Sequence, residues 1–565
     1  MKLDMVTVLV VNNRLKEIQN VMMQTLYRTG YSVILRESKD GSAGITDKDG
    51  NFLNAVAIGI LHAPAYKSCI KAIQCAWSSE EIQAGDMFIF NDPYTTGCFH
   101  TPDIGLVAPI FYKDELIAFA TSVSHKPDIG GIVPGSMSAN ARSLFHEGII
   151  IPPVKLYERG RLNESMMRLI MRNSRTSYLL GGDIRGQAGC VRQGTQMLEQ
   201  LCDEYGVEVV LGSFDELINI TERRMRAELE ALPDGETEVE RYLDDDGVDF
   251  TQPVKIHLRL KKSGDRICFD FSGSAPQTIG PVNAGPSIVE SMIVMTLVGF
   301  IDPDIEINQG VMKVVDLILP EGSVINPTFP APHGTYAPTG RMVRHCIIAG
   351  LSELFPEKGI AEPGGGTGAL TFGYHQSKSG QSKVQYEITW PALGANAGAD
   401  GANLIGTILN WASVAPIEIL ETEYPVRLRE FSVRQNSGGT GKRRGGLAYV
   451  REYEVLEDCS FTARVSGIKF AAQGIQEGKG PQPCRLILNP GTSNERELPS
   501  LISLDLHAGD IIRHELSGGG GYGNPLERNR DAVVKDVQDG YISEESARRD
   551  YGLDEMLLKK RVSKR

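Results

Sequence analysis

The phrase His-Thr-Pro-Asp-Ile-Gly at 100–105 returns almost unchanged as His-Lys-Pro-Asp-Ile-Gly at 125–130. Each copy sets a His three residues ahead of an Asp, with a Pro fixing the backbone between them. Between the copies lie LVAPIFY and ELIAFATSV, two strand-like runs separated by Lys113-Asp114. This pattern predicts a β-hairpin centred near residue 114, although Lys-Asp is not the best pair for a tight hairpin turn. In an antiparallel ladder, residues equidistant from the turn face each other. Asp103 is therefore expected beside His125, and His100 near Asp128. Two imidazoles and two carboxylates then share the open end of one hairpin.

That donor set suits a divalent ion: Zn, Mn or Fe(II) accept His nitrogen and Asp oxygen, and an incomplete protein shell leaves room for water. An ion held there polarises a carbonyl or lowers the pKa of a water. One carboxylate can be a ligand while the other orients an imidazole through its second N–H. Asp103 and Asp128 are both candidates for each role. The plainer reading is a turn, twice over, in which the Asp caps a backbone N–H and the Pro stiffens the chain.

The rest of the chain predicts an α+β protein: a mixed, multi-layer fold with an N-terminal helix and β-hairpin region carrying the metal site, and β-rich middle and C-terminal parts. Residues 10–29 place Val10, Leu15, Ile18, Val21, Met22 and Leu26 at helical spacing. YSVILRES (31–38) reads as a strand, 62–80 as a helix and MFIFND (87–92) as a strand ending in a turn. Helical patterns follow at 161–205 and 213–232. From 238 the pattern changes to acidic- or Gly-turned strands. The stretch 287–301 is apolar throughout save Glu290 and reads as a buried helix, too short for a comfortable membrane span. Expected divisions are 1–235, an α/β region with the metal site; 236–430, a mixed middle; 431–525, β-rich; and 526–565, a charged helical tail.

Of 565 residues, 61 are Gly, gathered at 363–370, 392–403, 437–446 and 517–525. They predict tight turns and close backbone contacts. Net charge is −13 and pI about 5.4, which argues against nucleic acid or an anionic membrane as partner. The N-terminus lacks the basic, apolar and small-residue pattern of a leader. The nine Cys show no C-x-x-C spacing, which indicates free thiols and a cytoplasmic setting.

Other motifs are weaker. SGGTGKRR (437–444) fails as a phosphate loop because Asn436 and Arg443 stand where Gly and Ser or Thr are needed. GGGGYG (518–523) is followed by Asn-Pro rather than a helix, which argues against dinucleotide binding. DDDG (244–247) lacks the spaced ligands of a calcium loop and reads as an acidic turn. His146-Glu147 and the region of His333 are candidate cleft residues, with a satisfied loop His the plainer reading of His333. Arg142 and Arg175 suit a phosphate or carboxylate, with structural pairing the default. Cys98 reads as packing.

NDPYTTGCFHTPDIGLVAPIF, SHKPDIGGIVPGSMS, HEGIIIPPVKLYERG and RNSRT together resemble the B-type subunits of hydantoinases and 5-oxoprolinases. RESKDGSAGITDKDGNFL, YLDDDGVDF, FDFSGSAPQTIGPVN and NQGVMKVVDLILPEGSVINPTFPAPHGTYAPTGR continue the resemblance. SGGTGKRRGGLAYVREYE and SGGGGYGNP complete it, in order from about residue 5 to 525. Stand-alone relatives of this size act in ATP-dependent hydrolases of hydantoins and lactams, caprolactamase among them. The family also supplies subunits of acetone and acetophenone carboxylases.

The resemblance implies a division of labour. An A-type partner binds ATP and phosphorylates the carbonyl oxygen of a small cyclic amide. The B-type chain completes the hydrolysis at a divalent metal, Zn or Mn, within an α2β2 or larger assembly. It also implies the ligands Asp40, His100, Asp103 and His125, with Asp128 as alternative or outer group, and catalytic roles for Asp103, Asp128 and His125. Asp40 comes from the resemblance alone. Thr95-Thr96-Gly97, Asp40-Gly41-Ser42 and Thr101 depart from the usual pattern while keeping the ligand types. Two other readings stay open: a ketone carboxylase subunit, and a non-catalytic scaffold stapled by its metal.

Overall fold

The computed structural model describes residues 3–55, 59–366, 368–375, 380–405 and 413–553. Its first sheet has six strands, in the order β1 (Gly41–Asp47), β4 (Glu115–His125), β3 (Asp103–Tyr112), β2 (Met87–Phe90), β5 (Val154–Glu158) and β6 (Arg161–Leu162). The expected hairpin is its centre. β3 and β4 pair antiparallel with Asp103 opposite His125 and Tyr112 opposite Glu115. Lys113 and Asp114 both take positive φ, 49° and 67°, as a two-residue turn matching the strand twist requires.

Helices cover this sheet on both faces. Met5–Arg28 is capped by Asp4 and buries Val8, Val11, Leu15, Ile18, Met22 and Leu26. It packs beside Ser177–Tyr205, where Gly194 lets the helices close: a Cβ there would stand 2.4 Å from the Met22 sulfur. Gly59–Ala76 packs against β1 and β4 and leads to Pro286–Ile301. The latter helix is buried nearly all round, as its uniformly apolar pattern requires. Among the described residues no helix is long and apolar enough to cross a membrane.

The second sheet runs β10 (Val315–Ile318), β9 (Arg266–Asp270), β8 (Val254–Ser263), β7 (Gly235–Leu243), with β10 and β9 parallel. The buried helix Tyr336–Leu354 backs it. The third runs β12 (Lys383–Thr389), β11 (Gly368–Tyr374), β15 (Cys459–Arg464), β18 (Leu501–Leu506), so strands from both sides of residue 430 share it. The fourth runs β13 (Val426–Val433), β14 (Tyr449–Val455), β19 (Ile511–Glu515), β16 (Arg485–Leu488), β17 (Arg496–Leu498). Two short helices, Arg530–Gln538 and Glu544–Tyr551, follow; the expected tail beyond 553 lies outside the described residues.

Register decides which residues the third sheet turns toward the first. Ala369 lies opposite both Ile388 and Arg464, and Thr371 opposite Tyr386. With the two-residue alternation of a strand, these five side chains share one face. Leu370 and Phe372 belong to the other, in an apolar core with Phe461 and Ala463.

The four Gly-rich stretches converge in one backbone layer. Gly439 N donates to Gly519 O (2.8 Å), Gly519 N to Gly446 O (3.0 Å), Gly446 N to Leu393 O (2.9 Å) and Gly364 N to Ala392 O (2.9 Å). A Cβ on Gly519 would lie 2.0 Å from Leu393 O, so no other residue fits.

One local expectation changes. YSVILRES contains the helical turn Val33–Arg36 instead of a strand. Asp183 accepts from Tyr31 N (2.7 Å), Ser32 N (3.0 Å) and Ser32 Oγ (2.6 Å), and Ser32 caps the turn. A distant carboxylate thus overrides β-branched preference. The acidic triplet Asp244–Asp246 forms a turn as expected, and it is buried. Asp244 accepts from Ile468 N, Lys469 N and Phe470 N, and Asp246 from Val248 N, Asp249 N and Gly280 N.

Candidate metal centre and active site

Three side chains meet at the open end of the hairpin. Asp103 opens β3 and His125 ends β4, so their pairing is set by the ladder. His100 comes from the turn before β3, closed by Asp103 N donating to His100 O (3.1 Å). His100 Nε2 lies 3.1 Å from Asp103 Oδ1 and 3.1 Å from His125 Nδ1, and the latter lies 3.3 Å from Asp103 Oδ1. All three residues are buried, at 3%, 2% and 1% exposure.

The trio fits a divalent ion. Ligand atoms around a tetrahedral ion with bonds of about 2.0–2.1 Å stand about 3.3 Å apart, close to the spacing seen. The set combines imidazole nitrogen with carboxylate oxygen, and polar atoms remain unsatisfied: Asp103 Oδ2 and His125 Nε2 are buried without a hydrogen bond. His100 Nδ1 is placed to donate to Gly334 O (3.3 Å). This fixes the tautomer and leaves the Nε2 lone pair facing the other two groups.

The backing is built from residues distant in sequence. Glu147 Oε1 accepts from Gly334 N (2.6 Å) and Oε2 from His333 N (3.2 Å). The Glu147 carboxylate thus holds the peptide that holds His100, and burial pushes it up to about 7. Burial would raise the Asp103 carboxyl, but His100 and His125 outweigh that and hold it well below the usual carboxylate range. Burial lowers His125; in His100 the charge of Asp103 prevails over burial and raises it.

Asp40 stands just before β1. It lines the same cavity as His100 and His125, and its carbonyl accepts from His125 N (3.1 Å). Its carboxylate is outside the group of donors lying within 4.8 Å of one another. Asp128 is not brought to the trio. Its Oδ1 accepts from Gly130 N (3.1 Å) and Arg175 N (2.8 Å), and its Oδ2 from Gly135 N (3.0 Å) and Arg175 Nη1 (2.9 Å). With four donors on its two oxygens, Asp128 ties down the loop after His125. Arg175 is thereby a structural pair. Arg142 is exposed, and Cys98 packs in a small apolar core.

Sequence reasoning missed several residues here. His62 stacks on Phe99, with ring centroids 4.9 Å apart, and puts Nε2 3.9 Å from Asp103 Oδ2. Its Nδ1 meets Ser42 Oγ (3.0 Å), which meets Tyr66 OH (2.9 Å). Burial lowers His62 to about 4, so the ring stays neutral. Tyr336, Tyr386, Trp390 and Arg464 also surround the centre. Tyr336 belongs to the His333 stretch already singled out as a cleft candidate, while the other three carry no local signal, Arg464 and Tyr386 sitting in ordinary strands. The cavity, about 80 Å³, is bounded on one side by His100, His125 and Asp40 and on others by Leu61, Ile288, Met292, Ile388 and Trp390.

The sequence model of the family described as Hydantoinase B/oxoprolinase matches residues 4–525. The chain belongs to this family. It is 32% identical to a protein assigned as the B-type subunit of a D-/L-hydantoinase of Pseudomonas sp. strain NS671, over 98% of this chain and 95% of that one. It is 30% identical to the beta subunit of the caprolactamase of Pseudomonas jessenii, over 97% and 96%. The crystal structure of the ATP-dependent caprolactamase from that organism superposes with a TM-score of 0.91 at 27% identity, covering 100% of this chain and 99% of the other. An acetone carboxylase structure superposes with a TM-score of 0.88 at 20% identity, over 99% and 84%, a likeness of fold. As a hydantoinase B-type chain the protein is similar throughout to subunits of larger enzymes, and its mixed helix-and-sheet architecture is that of the caprolactamase chain.

Proposed function

We propose that this chain is the hydrolytic subunit of an ATP-dependent cyclic-amide hydrolase. It opens a ring amide that an A-type, ATP-binding partner has activated by phosphorylating the carbonyl oxygen. The observation that carries this reading is the convergence of three buried donors, His100, Asp103 and His125, beside an apolar cavity that His100 and His125 line. A metal that only staples a fold has no need of a cavity beside its ligands. Partnership is supported by the relatives named as subunits. It is also supported by the two glycine motifs, which are spent in the backbone layer rather than left to cradle a nucleotide.

His100, Asp103 and His125 would hold a divalent ion, Zn or Mn, with Asp40 reaching in from the cavity wall. Such an ion supplies Lewis acidity toward an oxygen and makes a water more acidic. The protein's own groups do the rest. Gly334 O keeps His100 in one tautomer, and Asp103 Oδ1 fixes both imidazoles. The apolar wall excludes bulk water. As water oxygen bonds to the activated carbon, Asp103 Oδ2, which has no hydrogen-bond partner, orients the water by accepting a hydrogen bond, and the proton the water loses goes to the ring nitrogen. The water's two protons end on that nitrogen as the C–N bond breaks, leaving an acyl phosphate. A second water converts it to carboxylate and phosphate. Phosphorylation makes the step feasible because an unstrained amide is a poor electrophile.

The test uses the chain together with its ATP-binding partner, ATP and a lactam, with and without bicarbonate. His100→Ala and His125→Ala are expected to lose bound metal and to cut ring opening by about 10³-fold or more. Full activity without both imidazoles sinks the site. Strict dependence on bicarbonate overturns hydrolysis in favour of carboxylation.

A further inference from the structure

Arg464 ends β15 at the cavity and is only 3% exposed. Its Nη2 donates to Thr371 Oγ1 (2.9 Å), while Nε is buried without a partner. Arg451 in β14, buried as deeply, shows the usual arrangement: it pairs with Glu387 at 2.8 Å. No carboxylate of the described residues pairs with Arg464 within the 4.0 Å of an ion pair. A guanidinium stripped of water and left without an anion is costly, so such a group ordinarily has one.

Geometry places this cation at the candidate reaction centre. Its guanidinium lies over the Tyr386 ring, 5.4 Å from the centroid, and that ring packs against His125 at 4.6 Å. One tyrosine ring therefore separates Arg464 from the His125 imidazole. A second unused donor borders the same space: Trp390 lines the cavity, and its Nε1–H is buried without an acceptor. Leu61, Ile288, Met292 and Ile388 give the same cavity an apolar lining.

We propose that Arg464, with the Nε1–H of Trp390, binds the phosphoryl group of the activated substrate, and that the apolar wall selects ring amides carrying no charge of their own. This rests on the hydrolytic reading above. Guanidinium suits a phosphoryl oxyanion through paired N–H donors. Burying it beside the ligands lets the charge hold the intermediate until the ring has opened. A ring that brought its own carboxylate would compete for Arg464 and strand the second anion against hydrocarbon.

The experiment measures ADP formed and ring-opened product in parallel, in the assembled enzyme, with ε-caprolactam and with 5-oxoproline. In Arg464→Gln, ATP use is expected to continue while product falls about 100-fold, so the ratio of ADP to product rises at least tenfold. Metal content is expected to stay at the wild-type level, which a merely structural loss would not preserve. The wild type is expected to favour ε-caprolactam over 5-oxoproline at least tenfold in kcat/KM. Should Arg464→Gln fail to fold, Arg464→Lys serves: inorganic phosphate is expected to inhibit it at least tenfold more weakly than the wild type. An unchanged ADP-to-product ratio, equal inhibition by phosphate, or a preference for 5-oxoproline overturns the proposal. If His100→Ala and His125→Ala also leave product formation intact, the hydrolytic reading falls with it. If those variants are dead and Arg464→Gln is fully coupled, only the anion subsite falls.

Discussion

The two copies of His-x-Pro-Asp differ in what the backbone does after the His. In the first, Asp103 N closes a turn onto His100 O, so both side chains of the copy enter the same donor group. In the second, His125 is the last residue of a strand, and Asp128 falls beyond Pro127 in a loop that folds back on it. The first copy supplies two members of the centre, the second one. Identical residue types at identical spacing thus take different work, because one copy precedes a strand and the other follows one. The residue in second place differs likewise: Thr101 Oγ1 donates to Glu147 O (2.8 Å), while Lys126 is buried with Nζ on Ser124 Oγ (2.5 Å) and Gln187 Oε1 (2.8 Å).

The sharpest way to break this comparison is a crossover between the two Asp residues. Asp103→Asn is expected to empty the metal centre and lower ring opening by about 10²-fold or more, with a smaller effect on the melting of the metal-free chain. Asp128→Asn is expected to do the reverse. It loses about 2–3 kcal/mol of stability by removing the charge that pairs with Arg175 and one of the two acceptor oxygens, while metal affinity holds. Metal analysis and denaturant unfolding of the same two proteins decide it, and equal effects on both readouts would erase the distinction.

Lys126 gives a pH signature that Thr101 has no means to give. Burial presses its ammonium down to about 8, whereas lysines of the unfolded chain titrate near 10.4. Between these values the unfolded state binds more protons, so this group makes the protein more stable as pH rises. From pH 8 to pH 10 the wild type is expected to gain about 2 kcal/mol relative to Lys126→Met. A difference that stays flat across that window contradicts the assigned burial. The smallest effect belongs to Thr101→Val, about 1 kcal/mol from one lost hydrogen bond, read by urea unfolding with metal content unchanged.

Legibility in the sequence follows the range of the interactions concerned. The β3–β4 hairpin was readable because its pairing is local and two strand-like runs flank Lys113-Asp114. The helix Met5–Arg28 was readable from apolar spacing, and Pro286–Ile301 from its lack of any polar face. The turn Val33–Arg36 was hidden because the carboxylate that shapes it is Asp183. The turn at Asp244–Asp246 was readable, but not that Asp244 takes its backbone donors from Ile468–Phe470, far along the chain. The Gly-rich stretches announced close backbone approach, but not that the four approach one another.

For the site, sequence by itself determined the hairpin about Lys113-Asp114 that brings His125 and Asp103 to one end, while an irregularity in the pairing between Ile110 and Phe111 puts the two directly opposite. It also carried the family, since the matching motifs run along nearly the whole chain. Only the tertiary structure decided that Asp128 serves its own loop, that Gly334 and Glu147 set the His100 tautomer, and that Arg464 stands one ring away from His125. The relations of His100 and His125 join residues hundreds of positions apart. No local pattern encodes them; they exist once the third sheet closes over the open end of the hairpin.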